Sequence, residues 1–133
     1  MGVERLDHVA ITVADVEATL DWYERALGAQ RLHHELFVSG AIPIALLQVG
    51  GSRLSVHPVA APASPYAAAP TPGSAVLCFR WSGPLSDAVA GLEEAGVAII
   101  EGPVGRPASN GVVGESVYCR DPDGNLVELL SIG

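Results

Sequence analysis

The chain has 133 residues, a formal net charge of −8 and 49% hydrophobic residues. This length suffices for one domain with a buried core, and the negative charge with few, scattered basic residues argues against nucleic acid as a partner. No run approaches the roughly 18 apolar residues that span a bilayer, so we expect a cytoplasmic protein with no membrane partner.

The first strand and helix of the chain have clear local signals. Val9, Ile11 and Val13 alternate along the first strand and are all apolar, which is typical of a strand face packed on a helix, so His8 is predicted to point away from that helix. Asp15 is suited to cap a helix, apolar residues follow at helical spacing, and Gly28 is a stop signal. The spacing predicts a helix over Val16–Leu27.

Three extended segments are predicted next, near Arg31–Val38, Pro43–Val49 and Arg53–Val59, separated by glycine-containing turns. His57 lies in the last of them. His33 and His34 are adjacent, so on a strand they face opposite sides and cannot act as a chelating pair.

A second module repeats this layout. It opens at Ser74–Trp81, continues with a helix over Leu85–Ala95, and ends in strands near Val97–Glu101, Glu115–Arg120 and Leu126–Ile132.

The segments between and within the modules also carry predictions. Pro58–Gly73, rich in Ala and Pro, is interpreted as a crossover, either a plain linker or a lid whose Tyr66 reaches a cavity. The stretch Pro103–Gly114 is interpreted as a loop, and Arg120–Asn125 as a tight hairpin turn. Both cysteines, Cys78 and Cys119, fall in predicted strands without disulfide spacing and are expected to be buried thiols.

Three side chains of metal-ligand type, His8, His57 and Glu128, occupy places that the sequence suggests are equivalent in the two modules. An inward histidine alone is also explained as a hydrogen-bonded core residue. A buried carboxylate between Leu126 and Leu130 must be paired, protonated or metal-bound. Two imidazoles and one carboxylate suit Fe, Mn, Co, Ni or Zn, with open positions for a bidentate substrate.

Four segments together resemble the vicinal oxygen chelate superfamily, which includes glyoxalase I, bleomycin-resistance proteins, fosfomycin-resistance enzymes, methylmalonyl-CoA epimerase and extradiol dioxygenases. The segments are Asp7–Val13, Trp22–Gly28, Pro72–Ala75 and Tyr118–Glu128. The chain is most similar there to small glyoxalase-domain proteins. The resemblance implies an α+β fold in which two βαβββ modules form cup-shaped, barrel-like mixed sheets. It implies a single domain over 1–133, with module 1 at about 4–60, a crossover at 61–73 and module 2 at about 74–133.

The resemblance also implies a divalent metal held at four positions, which here are His8, His57, Val76 and Glu128. Val76 departs from the family pattern, in which a four-ligand glyoxalase I carries a histidine or similar ligand. Glyoxalase I activity itself is therefore not implied. Modules pair within or between chains in this family, so a homodimer is expected. If they pair between chains, His8 and His57 would meet Glu128 of the partner subunit.

Three functions from different classes are compatible with these features. The first is a metal-dependent lyase or isomerase that stabilises an oxyanion of a small substrate with two neighbouring oxygens. The second is an Fe(II) extradiol-type dioxygenase, and the third is a bleomycin-resistance-like drug-binding protein, favoured by the acidic charge. Glu128 and Tyr118 are the catalytic candidates, and Arg106 and Tyr66 are the candidates for substrate binding. An aromatic core role for Tyr118 and a solvated loop arginine at Arg106 are the structural alternatives.

Overall fold

The computed structural model describes residues 1–133, which form two compact units, Met1–Pro72 (unit 1) and Gly73–Gly133 (unit 2). Unit 1 contains β1 (Val9–Val13), α1 (Val16–Leu27), β2 (Gln30–Leu32), α2 (His34–Val38), β3 (Ala45–Val49) and β4 (Ser52–Pro58). Unit 2 contains β5 (Val76–Arg80), α3 (Leu85–Glu94), β6 (Glu101–Pro107), β7 (Val113–Arg120) and β8 (Leu126–Ser131). The predicted α+β class is confirmed.

Sheet 1, in unit 1, has the strand order β1-β4-β3-β2. β1 runs parallel to β4, and the other neighbours are antiparallel, so the sheet is mixed. Ile11 and Val13 are buried together with Leu47 and Val56, while the alternate residues of β1 are more exposed. This alternation places one apolar face of sheet 1 against α1 and turns the other face away from α1.

The predicted α1 is confirmed at both ends. Asp15 is extended, and its side chain accepts a hydrogen bond from the backbone N–H of Ala18 at 3.0 Å. Gly28 closes the helix in the left-handed conformation, with φ of 66°, and donates back to the last turn. A polar cap and a glycine stop together satisfy groups that a helix leaves unpaired at its ends.

Sheet 2, in unit 2, has the matching order β5-β8-β7-β6, with β5 parallel to β8. Val117, Val127 and Leu129 are buried, as are Ala88 and Leu92 of α3. The core of unit 2 therefore lies between α3 and one face of sheet 2. None of the helices of the chain is long and apolar enough to cross a membrane.

The predicted hairpin turn between β7 and β8 is built around two buried polar side chains, Asp121 and Asn125. Asp121 Oδ1 accepts from the backbone N–H groups of Asp123 and Asn125, and Asn125 Nδ2 donates to Asp121 Oδ2 at 2.8 Å. Asn125 Oδ1 accepts from the backbone N–H of Ala75 at 2.9 Å. The turn thus also fixes the entry to β5.

The prediction of a strand over Arg31–Val38 is wrong. β2 ends at Leu32, His33 takes the left-handed conformation with φ of 52°, and α2 follows from His34. His34 Nε2 lies 2.9 Å from Glu17 Oε1 of α1, and Arg31 Nη1 donates to the other oxygen of the same carboxylate at 2.7 Å. Contacts with a helix distant in sequence therefore override the local strand preference.

Unit 2 also corrects three expectations. Residues 97–100 lie outside regular structure, and β6 begins at Glu101. The predicted loop Pro103–Gly114 holds most of β6, so Arg106 lies on a strand; because β6 is an edge strand, its prolines break no central ladder. Cys119 is buried as expected, but Cys78 is exposed.

Candidate functional site

The face of sheet 1 that is turned away from α1 carries both candidate histidines. His8 directly precedes β1, and its Nδ1 lies 2.9 Å from Asp7 Oδ2, which leaves Nε2 without a protein partner. His57 lies at the end of β4 opposite Thr12, with Nε2 3.2 Å from Ser55 Oγ. Burial lowers the pKa of His57, and the positive charge of His8 lowers it further, so the neutral imidazole is favoured.

The strand registers revise the expected equivalence of His57 and Glu128. In sheet 2, Glu128 pairs with Cys78, which lies two positions after Val76. In sheet 1, Ser55 pairs with Ala10, which lies two positions after His8. When the opening segments of the two modules, Leu6–Val13 and Ser74–Trp81, are aligned from their first residues, His8 corresponds to Val76. Ser55 then corresponds to Glu128. His57 lies one further step along the same strand face, so the prediction of equivalent places is wrong for this pair.

Glu128 lies at the centre of the helix-free face of sheet 2. It pairs across the strands with Cys78 on β5 and with Tyr118 on β7. Ser116 Oγ donates to Glu128 Oε2 at 2.7 Å, and no arginine lies within ion-pair distance of this carboxylate. Cys78 is exposed as a residue, but partial desolvation of its thiol, and then the charge of Glu128, raise the pKa of the thiol to about 11. The thiol is therefore protonated near neutral pH and acts as a hydrogen-bond donor to Glu128.

Arg106 and Tyr118 form a second polar group on the same face. Arg106 Nε donates to Tyr118 Oη at 2.9 Å, and its guanidinium carbon lies 5.6 Å from the centre of the Tyr118 ring. Arg106 Nη2 is 3.8 Å from Glu101 Oε1. The hydrogen bond to Tyr118 raises the pKa of Arg106, and the nearby carboxylates of Glu101 and Glu128 raise it further. The sheet therefore places Tyr118 beside Glu128 and Arg106 beside Tyr118.

The remaining predicted residues do not join either group. Tyr66 is 57% exposed and lies in the segment without helices or strands between β4 and β5. Val76, the fourth predicted metal position, is 68% exposed on the same face of β5 as Cys78. Sequence reasoning missed the contacts of Cys78 and Ser116 with Glu128. Alternation along each strand was the available signal, since Cys78 is two residues from Val76 and Ser116 is two residues from Tyr118.

The donor types of His8, His57 and Glu128 suit a divalent cation. A metal-bound histidine normally donates its other ring N–H to a carboxylate, and a metal-bound carboxylate is itself hydrogen-bonded; the Asp7–His8 and Ser116–Glu128 contacts have this form. No group of three or more His, Cys, Asp or Glu side chains lies together in a way that could hold a metal ion. The fit to a metal therefore concerns the donor types alone; the two imidazoles belong to unit 1 and the carboxylate to unit 2.

Comparison with known proteins gives a consistent result. A sequence model of the Glyoxalase/Bleomycin resistance protein/Dioxygenase superfamily matches residues 5–129. Virulence protein STM3117 of Salmonella typhimurium is 38% identical over 129 residues, covering 97% of this chain and 85% of that protein. Its crystal structure has a TM-score of 0.88 at 37% identity, with 100% of both chains covered.

Two further proteins extend the comparison. Glyoxalase domain-containing protein RDO1 of Mycosarcoma maydis is 37% identical over 131 residues, covering 98% of this chain and 70% of that protein. The fosfomycin resistance protein FosX of Listeria monocytogenes, complexed with Mn(II), has a TM-score of 0.65 at 18% identity and covers 99% of this chain and 92% of its own. At this identity the likeness to FosX concerns the fold alone.

Proposed function

Because the chain belongs to the Glyoxalase/Bleomycin resistance protein/Dioxygenase superfamily, we propose that it is a divalent-metal-dependent enzyme of the lyase or isomerase type. Its substrate is a small molecule with two neighbouring oxygens. His8, His57 and Glu128 are the proposed ligands. The ion, when bound, supplies Lewis acidity that stabilises negative charge developing on a substrate oxygen.

The observation that carries this proposal is the environment of Glu128. A carboxylate in the middle of a sheet face is expected to have a cationic partner, and Glu128 has none. Its contacts are with two neutral donors, Ser116 at 2.7 Å and the Cys78 thiol. Hydrogen-bond donors that orient one carboxylate oxygen and leave the group charged are typical of the surroundings of a metal-bound carboxylate.

The histidines support the proposal in different degrees. His8 presents Nε2 while Asp7 holds Nδ1, which fixes the tautomer that a metal ligand needs. His57 is the weaker ligand candidate because Ser55 occupies the position that corresponds to Glu128. We therefore give His8 and Glu128 the primary roles and treat His57 as the ligand whose removal has to be tested separately.

Residues around Glu128 have proposed roles in substrate handling. Tyr118 Oη accepts a hydrogen bond from Arg106, so the phenolic proton is available for donation to a substrate oxygen. Arg106 and, from the segment before β5, Tyr66 are the proposed substrate contacts. The active form is proposed to be a homodimer acting on a small molecule in the cytoplasm.

The test is metal content, measured by elemental mass spectrometry on untagged protein incubated with divalent ions and then desalted. We expect near-stoichiometric metal in the wild type and a loss in Glu128→Ala and His8→Ala. Glu115→Ala is the matched control, since Glu115 is an exposed carboxylate on β7 one residue from Ser116 and therefore on the other face. Loss of metal in the control as well, or retention in Glu128→Ala, would contradict the proposed ligand set.

The same experiment separates the possible reactions. Bound iron would turn the proposal toward the dioxygenase alternative, whereas Mn, Ni, Co or Zn would favour proton transfer or addition. His57→Ala beside Ser55→Ala assigns the third ligand. Metal lost only in His57→Ala supports His57, and metal lost only in Ser55→Ala supports the position that corresponds to Glu128.

A further inference from the structure

All the basic side chains of unit 2 lie on one face of sheet 2. Residues 73–133 contain three arginines, no lysine and no histidine. On β5, Arg80 lies two residues after Cys78, which pairs with Glu128. On β7, Arg120 lies two residues after Tyr118, which also pairs with Glu128. On β6, Arg106 pairs with Gly114, which lies four residues before Tyr118. Because side chains alternate along strands, all three arginines share the helix-free face with Glu128.

This arrangement is unusual for the charge of the molecule. The chain carries a formal charge of −8, and unit 2 has eight acidic residues for its three arginines. Only two of these acidic residues, Glu101 and Glu128, lie on the helix-free face according to the strand registers. The face therefore has more positive than negative side chains in a protein that otherwise repels anions, and such a local excess attracts anionic ligands.

Arg106 has donors left over for a ligand. Of its five N–H groups, Nε donates to Tyr118 and one on Nη1 donates to the carbonyl oxygen of Gly105 at 2.9 Å. Nη2 forms an ion pair with Glu101 Oε1, but at 3.8 Å this contact is too long for a hydrogen bond. The Arg106 side chain is 39% exposed, so its free donors can be reached by a small molecule.

Tyr118 adds a donor beside the guanidinium. Its hydroxyl oxygen accepts from Arg106 Nε, so its own proton is free for a third group. The ring also holds the guanidinium in place by stacking at 5.6 Å. Arg120 is less available, since its Nη1 donates to the carbonyl oxygen of Gly124 at 3.1 Å. Arg106 and Tyr118 are thus a fixed pair of donors, while the other arginines add to the positive field.

We propose that Arg106 and Tyr118 bind an oxyanion, a carboxylate or phosphate group, of the substrate on the helix-free face of sheet 2. Planar, paired N–H donors match the two oxygens of such a group, and the phenol supplies a further hydrogen bond. This inference rests on the proposed function because it names the substrate class of the same site. Glu101 competes for Arg106 and limits affinity in the empty state.

The experiment is a titration of the protein with inorganic phosphate and, separately, with acetate. Two-dimensional ¹H–¹⁵N NMR monitors each titration, and the sample contains EDTA. The chelator makes the result independent of metal binding. We expect shifts centred on the backbone amides of Arg106 and Tyr118. In Arg106→Gln the apparent Kd should rise about tenfold, the effect of losing one charge-assisted contact. In Tyr118→Phe it should rise about threefold, the effect of one neutral hydrogen bond.

Two variants control for non-specific charge effects. Arg25→Gln removes the same charge from α1 of unit 1 and should leave the Kd unchanged. Glu101→Gln removes the competing carboxylate and should lower the Kd about threefold, the size expected of an exposed ion pair. If Arg106→Gln and Arg25→Gln weaken binding equally, or if neither probe shifts the Arg106 and Tyr118 amides, the proposal is overturned. Metal content measured on the same variants shows separately whether the proposed metal site survives.

Discussion

Substitution of Asn125 by alanine tests the role of the turn between β7 and β8. The side chain is 1% exposed and makes two hydrogen bonds, from Nδ2 to Asp121 Oδ2 at 2.8 Å and from the Ala75 N–H to Oδ1 at 2.9 Å. Alanine removes both. The change leaves a carboxylate oxygen of Asp121 and the backbone N–H of Ala75 without these partners, and it loosens the link between the turn and β5.

The expected cost follows from these two groups. A buried polar group left without its partner costs about 1 to 3 kcal/mol, and a charged group lies at the upper end of that range. We therefore expect Asn125→Ala to lower the free energy of unfolding by about 3 kcal/mol. With a urea dependence of about 1.5 kcal/mol per M, the unfolding midpoint should fall by about 2 M.

The assay is urea unfolding followed by the fluorescence of Trp81, which lies in unit 2, in a Trp22→Phe background. Asn110→Ala is the matched control. Asn110 also accepts a turn hydrogen bond, from the Val112 N–H at 3.0 Å, but it is exposed, so its loss should cost less than about 1 kcal/mol. The reasoning is refuted if Asn125→Ala is no more destabilising than Asn110→Ala.

Three further predictions concern single side chains. The Cys78 thiol has its pKa raised to about 11 by burial and by Glu128, so Glu128→Gln should speed its alkylation by iodoacetamide at pH 8 at least about threefold; an unchanged rate would contradict the contact. Gly114→Ala would drive a Cβ into a backbone oxygen of β8 and should lower the free energy of unfolding by about 1 to 3 kcal/mol, whereas Gly51→Ala, in open space, is the control that should change thermal unfolding little. The hydrogen bond from His34 lowers the pKa of Glu17 below its ordinary value of 4.5. The stability it contributes is present above that value and is lost as pH falls through the lower folded pKa, so the difference between wild type and Glu17→Gln in urea unfolding should shrink from pH 5.5 to pH 3 and would refute the assignment if it stayed constant.

The candidate site could be predicted in part from the sequence. Alternation along the last strand predicted that Glu128 shares a strand face with Leu126 and Leu130, and in the structure this is the face of β8 opposite the buried Val127 and Leu129. The contacts of that carboxylate were not predictable, because Cys78 and Ser116 belong to two other strands whose register only the folded sheet defines. Arg106 was predicted on a loop for the same reason. Its segment is rich in glycine and proline and becomes a strand only by pairing with β7.

Features that depend only on neighbours in the chain can be predicted from the amino-acid sequence. The bounds of α1, its Asp15 cap and Gly28 stop, the alternation of β1 and the hairpin turn before β8 all arise from local spacing and local hydrogen bonds. Side-chain types likewise indicated the superfamily.

Other features arise only when the chain folds. It turned the segment after Leu32 into α2, placed Ser55 at the position that corresponds to Glu128, and brought Arg106 onto the same face as Arg80. Each of these outcomes depends on pairing between segments distant in sequence. A shift of one residue in such a pairing moves every side chain of a strand to the other face, so no local pattern can specify it.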